Sequence, residues 1–381
     1  MGIHFDPPPP SPQTEALRAE VRDFLASELA SRTPAARAQS WSGFDPAFSA
    51  RLGARGWIGV TWPRAYGGGE RSALDRYVIL EEMLAAGAPV AAHWIADRQS
   101  GPLLLRVGTD HQKEMILPRI ARGECFFCIG MSEPDSGSDL ASVRTRATPV
   151  QGGWLINGAK VWTSNAHRAH YMILFCRTAA KEADRHRGAS QFLIDLSAPG
   201  IAINPIIDLN REHHFNEVVF KDFFVAQDML IGELGGGWAQ VTGELALERS
   251  GPERFLSSFT LLVELVRALG PAPSAHAQQA LGRLVAHIYA LRRLSRSIAG
   301  MLERGADPAI EAALVKDLGA ILEQEIPEIA RSLVEAEPDA GSTNDFLAVL
   351  AATITTAPSF SLRGGTREIL RGVIARGLGL R

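Results

Sequence analysis

The first 125 residues carry apolar positions at the three- and four-residue spacing of amphipathic helices. Ser11-Pro12 is a favourable helix start, because serine can cap the first turn and proline fits its first position. Leu17, Val21 and Leu25 follow at helical spacing. Beyond the turn-rich segment TWPRAYGGGERS, two more helical runs follow, DRYVILEEMLAAG and GPLLLRVGTDHQKEMILPRIARGE. The pattern predicts an N-terminal helical domain over residues 1–125.

The pattern changes over residues 126–230, where short runs are rich in β-branched and aromatic residues. Gly-Gly, Asn-Gly and Ala-Pro-Gly sequences separate these runs at hairpin spacing. Strands do not alternate with long helices here, so we predict a central antiparallel β domain and not a Rossmann domain. The absence of a G-x-G-x-x-G sequence after a strand leaves NAD binding without support. The runs are FFCIGM, WLING, KVWTS, YMILF, QFLID and VVFKDFFV.

Helical spacing returns at Trp238 and predicts a C-terminal helical bundle over residues 231–381. The fold class is therefore predicted to be α+β, with a helical domain, a β domain and a bundle in chain order. The helices of the bundle are predicted at about 238–269, 275–303, 308–336 and 342–356, followed by a final helix.

The composition is that of an ordinary globular protein, with 46% apolar and 21% charged residues among 381. The net charge of −3 leaves no basic surplus to meet phosphates, so nucleic acid is not an expected partner. No apolar run reaches the about 18 residues that a membrane span needs. Three cysteines are too few for a disulfide framework. The N-terminus has neither a signal-peptide nor a myristoylation pattern. We expect a cytoplasmic protein without a membrane partner.

Two segments beside predicted strands carry side chains suited to a polar, planar ligand. The loop MSEPDSGSDLASVRT (131–145) is rich in small residues and hydroxyls, which can point donors into a concave site. The segment KVWTSNA (160–166) places an indole beside two hydroxyls, and these can stack on a ring and hydrogen bond to it. The plain alternatives are a solvated turn for the loop and simple packing for the tryptophan.

The segment SLRGGTREILRG (361–372) enters the predicted final helix through two consecutive glycines. Gly364 and Gly365 allow a close approach of backbone to a ligand, because glycine lacks a Cβ and tolerates a positive φ. Thr366 can cap the first turn of the helix.

The order and spacing of these segments resemble the acyl-CoA dehydrogenase family over roughly residues 12–381. The resemblance implies an N-terminal helical domain, a central β domain and a C-terminal four-helix bundle. It also implies FAD between the β domain and the C-terminal helices, an acyl-CoA substrate, and an electron-transfer flavoprotein as electron acceptor. The segments that carry it are TWPRAYGGG, GPLLLRVGTDHQKEMILPRIARGE, CIGMSEPDSGSD, NGAKVWTSNA, HFNEVVFKDFFV and RGGTREILRGVIARGLGL.

The resemblance also implies roles for individual residues. Substrate contacts are implied for Ser138, Arg249 and Gly365. The residues implied to contact FAD are Met131, Ser132, Ser138, Trp162, Ser164, Thr366 and Glu368.

The catalytic base is not at the position where much of the family carries it. The family's reaction needs a carboxylate that removes the α-proton of the thioester while a hydride leaves the β-carbon. Much of the family has that carboxylate immediately before the Gly-Thr pair, where this chain has Gly364. The Gly364 amide is still expected to donate to the thioester oxygen.

Glu248 is the candidate base, because it is the charged member of an apolar stripe on the predicted helix 238–269. A carboxylate facing an apolar interior should have a raised pKa, which suits a base. The Glu248-Arg249 step also matches the alternative base position found in isovaleryl-type members of the family. The plain alternative is that Glu248 pairs with Arg249 or reaches solvent. The stripe consists of Trp238, Val241, Leu245, Glu248, Pro252, Phe255, Phe259, Leu262 and Val266.

The resemblance is weaker where a neighbouring subunit would reach the flavin diphosphate. The family has an arginine and a phenylalanine there, and this chain has Gln278 and Leu281. Some members pair two different subunits, with fewer flavins than chains, and act on bulky acyl groups such as steroid side chains. A homo-oligomer (dimer or tetramer) and a heterotetramer with a related subunit both stay open. So do a non-catalytic subunit and an acyl-CoA oxidase or flavin monooxygenase on the same fold.

No metal site is expected from the sequence. Cys125 and Cys128 have metal-like spacing without a second pair, and strand packing is the preferred interpretation. His213 and His214 would need ligands that the sequence does not offer. His93 and its neighbour Trp94 could line an acyl pocket, but packing is again preferred.

Overall fold

The computed structural model describes residues 3–180, 184–249 and 251–380, and of residues 244–248 it describes the backbone without the side chains. Helices and one mixed sheet make up this part of the chain. The helices are α1 Pro12–Glu28, α2 Pro34–Ala38, α3 Pro46–Ala54, α4 Ala73–Ala85, α5 Ala91–Ile95, α6 Gly101–Val107, α7 Asp110–Ala121, α8 Gly237–Glu248, α9 Phe259–Leu269, α10 Ala275–Glu303, α11 Ala309–Leu333, α12 Asp345–Thr356 and α13 Arg367–Gly377. The strands are β1 Phe127–Gly130, β2 Arg146–Val150, β3 Gly153–Ser164, β4 Tyr171–Arg177, β5 Ala189–Asp195, β6 Ile201–Ile207, β7 His213–Ala226 and β8 Leu230–Ile231.

The chain divides into two compact units, and each unit is made of segments that are not consecutive in the sequence. The helical unit consists of Met1–Phe44, Arg71–Val90 and Ala246–Arg381, and the sheet unit of Asp45–Glu70 and Ala91–Leu245. The α+β class predicted from the sequence is confirmed by this mixture of helix and sheet. The domain boundaries placed after residues 125 and 230 stay a prediction.

The sheet has the strand order β6-β7-β3-β2-β4-β5-β8, with β1 beside β4. Its pairs are antiparallel except β1 with β4 and the single pair Arg146–Arg177 between β2 and β4. Side chains on one face form the core of the unit, because successive residues of a strand point to opposite faces. Members of that core include Cys128, Ile156, Met172, Phe192, Val218 and Phe220.

One predicted turn in the β domain is wrong. We expected WLING and KVWTS to be two strands joined at Asn-Gly, but they form the single strand β3. Asn157 and Gly158 make a β-bulge opposite β7 instead of a hairpin turn. Gly158 has φ +146°, and a Cβ there would lie 2.7 Å from the Cα of Thr145. Here the Asn-Gly pair allows the backbones of Gly158 and Thr145 to lie close together. The two residue types alone do not distinguish this role from a hairpin turn.

Helix ends follow the local capping chemistry. The predicted start of α1 is confirmed, since the Ser11 Oγ accepts from the Thr14 N–H at 3.1 Å and Pro12 occupies the first turn. We expected the helix predicted over 238–269 to kink at Gly251-Pro252. The interruption lies there but is a full break, since α8 ends at Glu248 and α9 begins at Phe259. A short 3₁₀ turn, Pro252–Arg254, lies between them, because proline lacks the N–H that an unbroken helix would use.

The helical unit is held together by a buried cluster of charges on three helices. Arg18 of α1 donates to Glu81 of α4 at 2.7 Å and also to Glu82. Arg292 of α10 binds the Glu81 carboxylate through two hydrogen bonds of 2.7 and 3.0 Å. Burial opposes ionisation of Glu81, but the two arginines outweigh it and lower the pKa of the carboxyl.

Within the described residues, every helix is too short or too polar to span a bilayer.

We expect Glu81→Gln to destabilise the protein by about 3 kcal/mol, since it leaves two arginines without their shared charge partner. The wild-type contribution is present above the ordinary pKa of a glutamate and is lost as the pH falls through the lowered one. Denaturant unfolding between neutral and acidic pH measures both effects. Glu124→Gln, which alters an exposed ion pair with Arg122, is the control and should cost under about 1 kcal/mol. Equal losses for the two variants would contradict this account.

Candidate functional site

The loop 131–145 is anchored to the sheet by a lysine that has no access to solvent. Lys160 of β3 is 0% exposed. Its Nζ donates to the Glu133 Oε1 at 2.8 Å and to the Met131 carbonyl oxygen at 3.0 Å. The same carboxylate accepts from the backbone N–H groups of Arg144, at 2.6 Å, and Thr145, at 2.9 Å. One ion pair therefore fixes both ends of the loop.

The charges of this pair stabilise each other inside the protein. Burial opposes the ionised form of Glu133, but the charge and hydrogen bond of Lys160 outweigh it and lower the pKa of the carboxyl. Burial also lowers the pKa of Lys160, and Glu133 offsets part of that effect. A buried pair with its remaining hydrogen bonds satisfied is costly to break, because the charge left behind has no water around it.

The predicted loop residues lie at different depths. The Met131 carbonyl oxygen binds Lys160, and the Ser132 carbonyl oxygen accepts from the Val161 N–H at 2.9 Å. Both residues are half-buried, whereas Ser138 is exposed on the outer part of the loop. The structure thus brings Met131 and Ser132 next to β3 and places Ser138 further out.

Trp162 is presented to the surface by a distortion of its strand. The pairing of β3 with β7 shifts register between Lys160 and Thr163, and Trp162 sits inside this β-bulge with φ +59°. Its side chain is 59% exposed, with its edge against the Phe215 ring at 5.9 Å. A large aromatic residue rarely adopts a positive φ, and such strain concentrates at functional sites. Packing against Phe215 leaves more than half of this residue exposed. The predicted Ser164 ends the same strand.

An asparagine that hydrogen bonds to two histidines holds the backbone of the bulge in place. Asn216 of β7 is fully buried, and its Nδ2 donates to the Thr163 carbonyl oxygen at 2.9 Å. Its Oδ1 accepts from the His167 Nδ1 at 3.1 Å and from the His213 Nε2 at 2.7 Å. The two imidazole rings stack with centroids 3.7 Å apart. Burial and the neighbouring His213 lower the pKa of His167. The amide thus links a histidine pair to the backbone that presents Trp162.

The helical unit brings together a second set of predicted residues around the start of α13. Gly364 and Gly365 have φ of +71° and +96°, as two glycines before a helix allow. Thr366 caps the helix, with its Oγ1 accepting from the Ile369 N–H at 3.4 Å. The exposed Glu368 has a lowered pKa, because its own backbone N–H and the Thr366 hydroxyl hydrogen bond to the carboxylate. These groups form a polar helix N-terminus at the glycine turn.

Arg249 joins the end of α8 to that turn. Its Nε donates to the Gly364 carbonyl oxygen at 3.0 Å, and its side chain is buried. The side chain of Glu248, the candidate base, lies outside the described part of the structure. The Arg249 contact nevertheless shows which turn the end of α8 approaches. Of the predicted apolar stripe, Phe255 is buried, but Val266 is 49% exposed, because the helix break changes the face that α9 turns inward.

Other candidate residues serve the packing of the sheet unit. Cys128 belongs to the sheet core, and burial raises the pKa of Cys125 to about 11. His93 bonds to the Ser49 hydroxyl at 2.8 Å, and burial lowers its pKa to about 4. In the part of the chain that the structure describes, no three His, Cys, Asp or Glu side chains are grouped to hold a metal ion.

Sequence reasoning missed Glu133, Lys160 and Asn216 as members of the site. Each lies within a segment that carries the family resemblance, but the resemblance implied no role for it. A signal was present for Lys160, because a lysine amid the small and apolar residues of a central strand needs a buried partner.

Three family models match consecutive parts of the chain. The acyl-CoA dehydrogenase N-terminal domain matches residues 11–124, the middle domain residues 128–223 and the C-terminal domain residues 266–379. Together they match all or part of every described helix and strand except β8 and α8.

Known proteins extend the match. The acyl-CoA dehydrogenase FadE34 of Mycobacterium tuberculosis (strain ATCC 25618 / H37Rv) is 34% identical over 85% of this chain, which spans 44% of that protein's length. The acyl-CoA dehydrogenase IpdE1 of the same organism is 32% identical over 96% of this chain and 97% of its own. The solved "Tcur3481-Tcur3483 steroid ACAD" superposes with a TM-score of 0.86 at 26% identity, over 98% of this chain and 99% of that one.

This chain belongs to the acyl-CoA dehydrogenase family. It is an oxidoreductase of the class that acts on CH–CH bonds.

We expect Lys160→Met to destabilise the protein by about 3–5 kcal/mol, because Glu133 would keep a buried charge without its partner. Lys221→Met, at an exposed position of the same sheet, is the matched control and should stay within about 0.5 kcal/mol of wild type. Denaturant unfolding at neutral pH compares them. A loss below about 1 kcal/mol for Lys160→Met would show that the loop does not depend on the pair.

Trp162→Gly is expected to keep the free energy of unfolding within about 1 kcal/mol of wild type, since glycine relieves the positive φ while adding freedom to the unfolded chain. Trp154 lies in the same strand as Trp162 and packs against Phe192 of β5, so Trp154→Gly should cost about 3 kcal/mol or more. Thermal and denaturant unfolding distinguish the two. A large loss for Trp162→Gly would mean that the indole is there for packing.

Proposed function

We propose that this chain is an FAD-dependent acyl-CoA dehydrogenase that removes an α-proton and a β-hydride from an acyl-CoA thioester and passes the electrons to an electron-transfer flavoprotein. Family membership supports acyl-CoA dehydrogenation, and the presentation of Trp162 is the observation that carries the flavin assignment.

The residues present fit a flavin. An indole held outward by a strained bulge offers an aromatic edge and face to a planar ring, and its exposure is unexplained by packing. Hydroxyls of Ser132, Ser138 and Ser164 supply hydrogen bonds of the kind that a polar ring system needs. On the family resemblance, Met131, Thr366 and Glu368 are proposed as further flavin contacts. When bound, FAD accepts the hydride.

Glu248 would serve as the base. Gly364 carries no carboxylate, so the base must come from another element, and Arg249 links the end of α8 to the Gly364 carbonyl. A carboxylate at position 248 would take the α-proton of the thioester. The Gly364 N–H would donate to the thioester oxygen and stabilise the negative charge that develops there. Arg249, Gly365 and Ser138 would hold the substrate.

The acyl group is proposed to be bulky, and the enzyme oligomeric. The structurally similar Tcur3481-Tcur3483 protein is a steroid ACAD named for two chains, which supports a polycyclic acyl group and a related second subunit for this chain. Helix α10 exposes the apolar side chains of Val285 and Tyr289, each 57% exposed, as an oligomer surface would. The partner is then either a second copy of this chain or a related subunit, and Gln278 and Leu281 on the same helix would face it.

The test begins with the visible absorbance of the purified chain and the amount of FAD per chain. About one FAD per chain would support a self-sufficient homo-oligomer, whereas a folded, colourless chain would point to a flavin site completed by a related subunit. Slow reoxidation of the reduced flavin by air supports a dehydrogenase, and rapid reoxidation would make it an oxidase or monooxygenase.

Glu248→Gln is expected to lower turnover of acyl-CoA by about 10²–10⁴-fold, with flavin content unchanged, because the amide cannot accept the α-proton. The control is Glu264→Gln, at a buried glutamate of α9 whose ion-pair partner is Arg267, and it should keep wild-type turnover. Turnover preserved in Glu248→Gln would remove Glu248 from the role of base.

A further inference from the structure

The glycine turn before α13 is enclosed by two arginine side chains of the helical unit. Arg249 binds the Gly364 carbonyl oxygen through its Nε. A Cβ built on Gly364 would lie 2.8 Å from the Nη2 of Arg254 and 3.1 Å from its Cζ. The Arg254 guanidinium therefore fills the space in which a side chain of residue 364 would begin.

The backbone of Arg254 packs against α11, and its side chain is buried. It ends the 3₁₀ turn Pro252–Arg254, and its side chain is 1% exposed. Its carbonyl oxygen packs so closely on α11 that a Cβ on Gly319 would lie 1.9 Å from it. Its guanidinium lies 5.9 Å from the centre of the Trp41 ring. The backbone of Arg254 is therefore fixed against α11, and its buried head group lies beside Trp41.

We propose that Arg254 is a positioning residue that excludes a catalytic carboxylate from position 364 and so restricts proton abstraction to the end of α8. This inference rests on the proposed function. A carboxylate introduced at position 364 would meet the guanidinium at once and form a buried ion pair. Such a pair lowers the pKa of the carboxyl and withdraws it from proton transfer. The absence of a carboxylate at position 364 is then more than a change of that one residue, because the Arg254 guanidinium occupies the space that the carboxylate would need.

Relocation of the base tests this directly. In a Glu248→Gln background, adding Gly364→Glu should leave turnover as low as before, since Arg254 captures the new carboxylate. Adding Arg254→Met as well should raise turnover by at least about tenfold. The positive φ at residue 364 is strained in both variants, so its cost cancels in the comparison. Recovery with Arg254 still in place would overturn the proposal.

A matched control removes a different arginine of the same region. Arg363 is half-buried, lies 4.2 Å from the Trp41 ring and binds Glu323 at 3.3 Å. Combining Arg363→Met with Glu248→Gln and Gly364→Glu should give no recovery. Equal recovery from the Arg254 and Arg363 variants would show a general loosening of the unit and would overturn the proposal.

A second measurement does not use activity. The stability of Gly364→Glu, with and without Arg254→Met, is followed by denaturant unfolding between about pH 4 and pH 8. With Arg254 present, the introduced carboxyl should have a lowered pKa, so its stabilising contribution should be lost as the pH falls through that value. With Arg254→Met, burial should raise the pKa and reverse the sign of the pH dependence. An unchanged pH dependence would overturn the proposal even if Glu248 proved not to be the base. Turnover retained by Glu248→Gln would instead refute the proposed function and leave this measurement to decide the role of Arg254.

Discussion

A lysine ammonium without access to water needs a negative charge beside it, and Lys160 imposes that requirement at the centre of the sheet unit. Glu133 supplies that charge. Its carboxylate also accepts hydrogen bonds from the N–H groups of Arg144 and Thr145, so it links the two ends of the loop 131–145. The next residues of β3 carry the bulge that turns Trp162 outward. One buried ion pair thus positions the loop, the strand and the indole. For this reason the proposed flavin contacts Met131, Ser132 and Trp162 lie next to Glu133 and Lys160, which support them without a proposed contact of their own.

The helical unit uses the same physics with arginine. Glu81 holds Arg18 and Arg292 across three helices, and Glu323 accepts from both Arg363 and the Ser257 N–H. Arginine suits this use because its charge persists at any pH that a protein meets and its planar head makes several fixed hydrogen bonds. The glycine turn before α13 is bounded by such groups. The side chains of Arg249 and Arg254 therefore close one side of this turn.

The sequence was most informative where one segment determines the outcome by itself. Ser11-Pro12 predicted the start of α1, and Gly364-Gly365 with Thr366 predicted a positive-φ turn and a helix cap. Prediction failed where the result depends on a distant segment. Asn157-Gly158 has the composition of a turn, but the neighbouring Thr145 backbone and the pairing with β7 make it a bulge. Arg254 and Gly364 are 110 positions apart in the sequence, so no local pattern reveals their contact.

The Asn216 amide joins two histidines to the strand that presents Trp162, and this makes the presentation subject to chemical ageing. Its nitrogen must donate to the Thr163 carbonyl, and its oxygen must accept from both rings. Loss of ammonia from this side chain would put a carboxylate oxygen against a carbonyl oxygen, with no proton left to share between them. The presentation of Trp162 therefore depends on the chemical integrity of one buried amide.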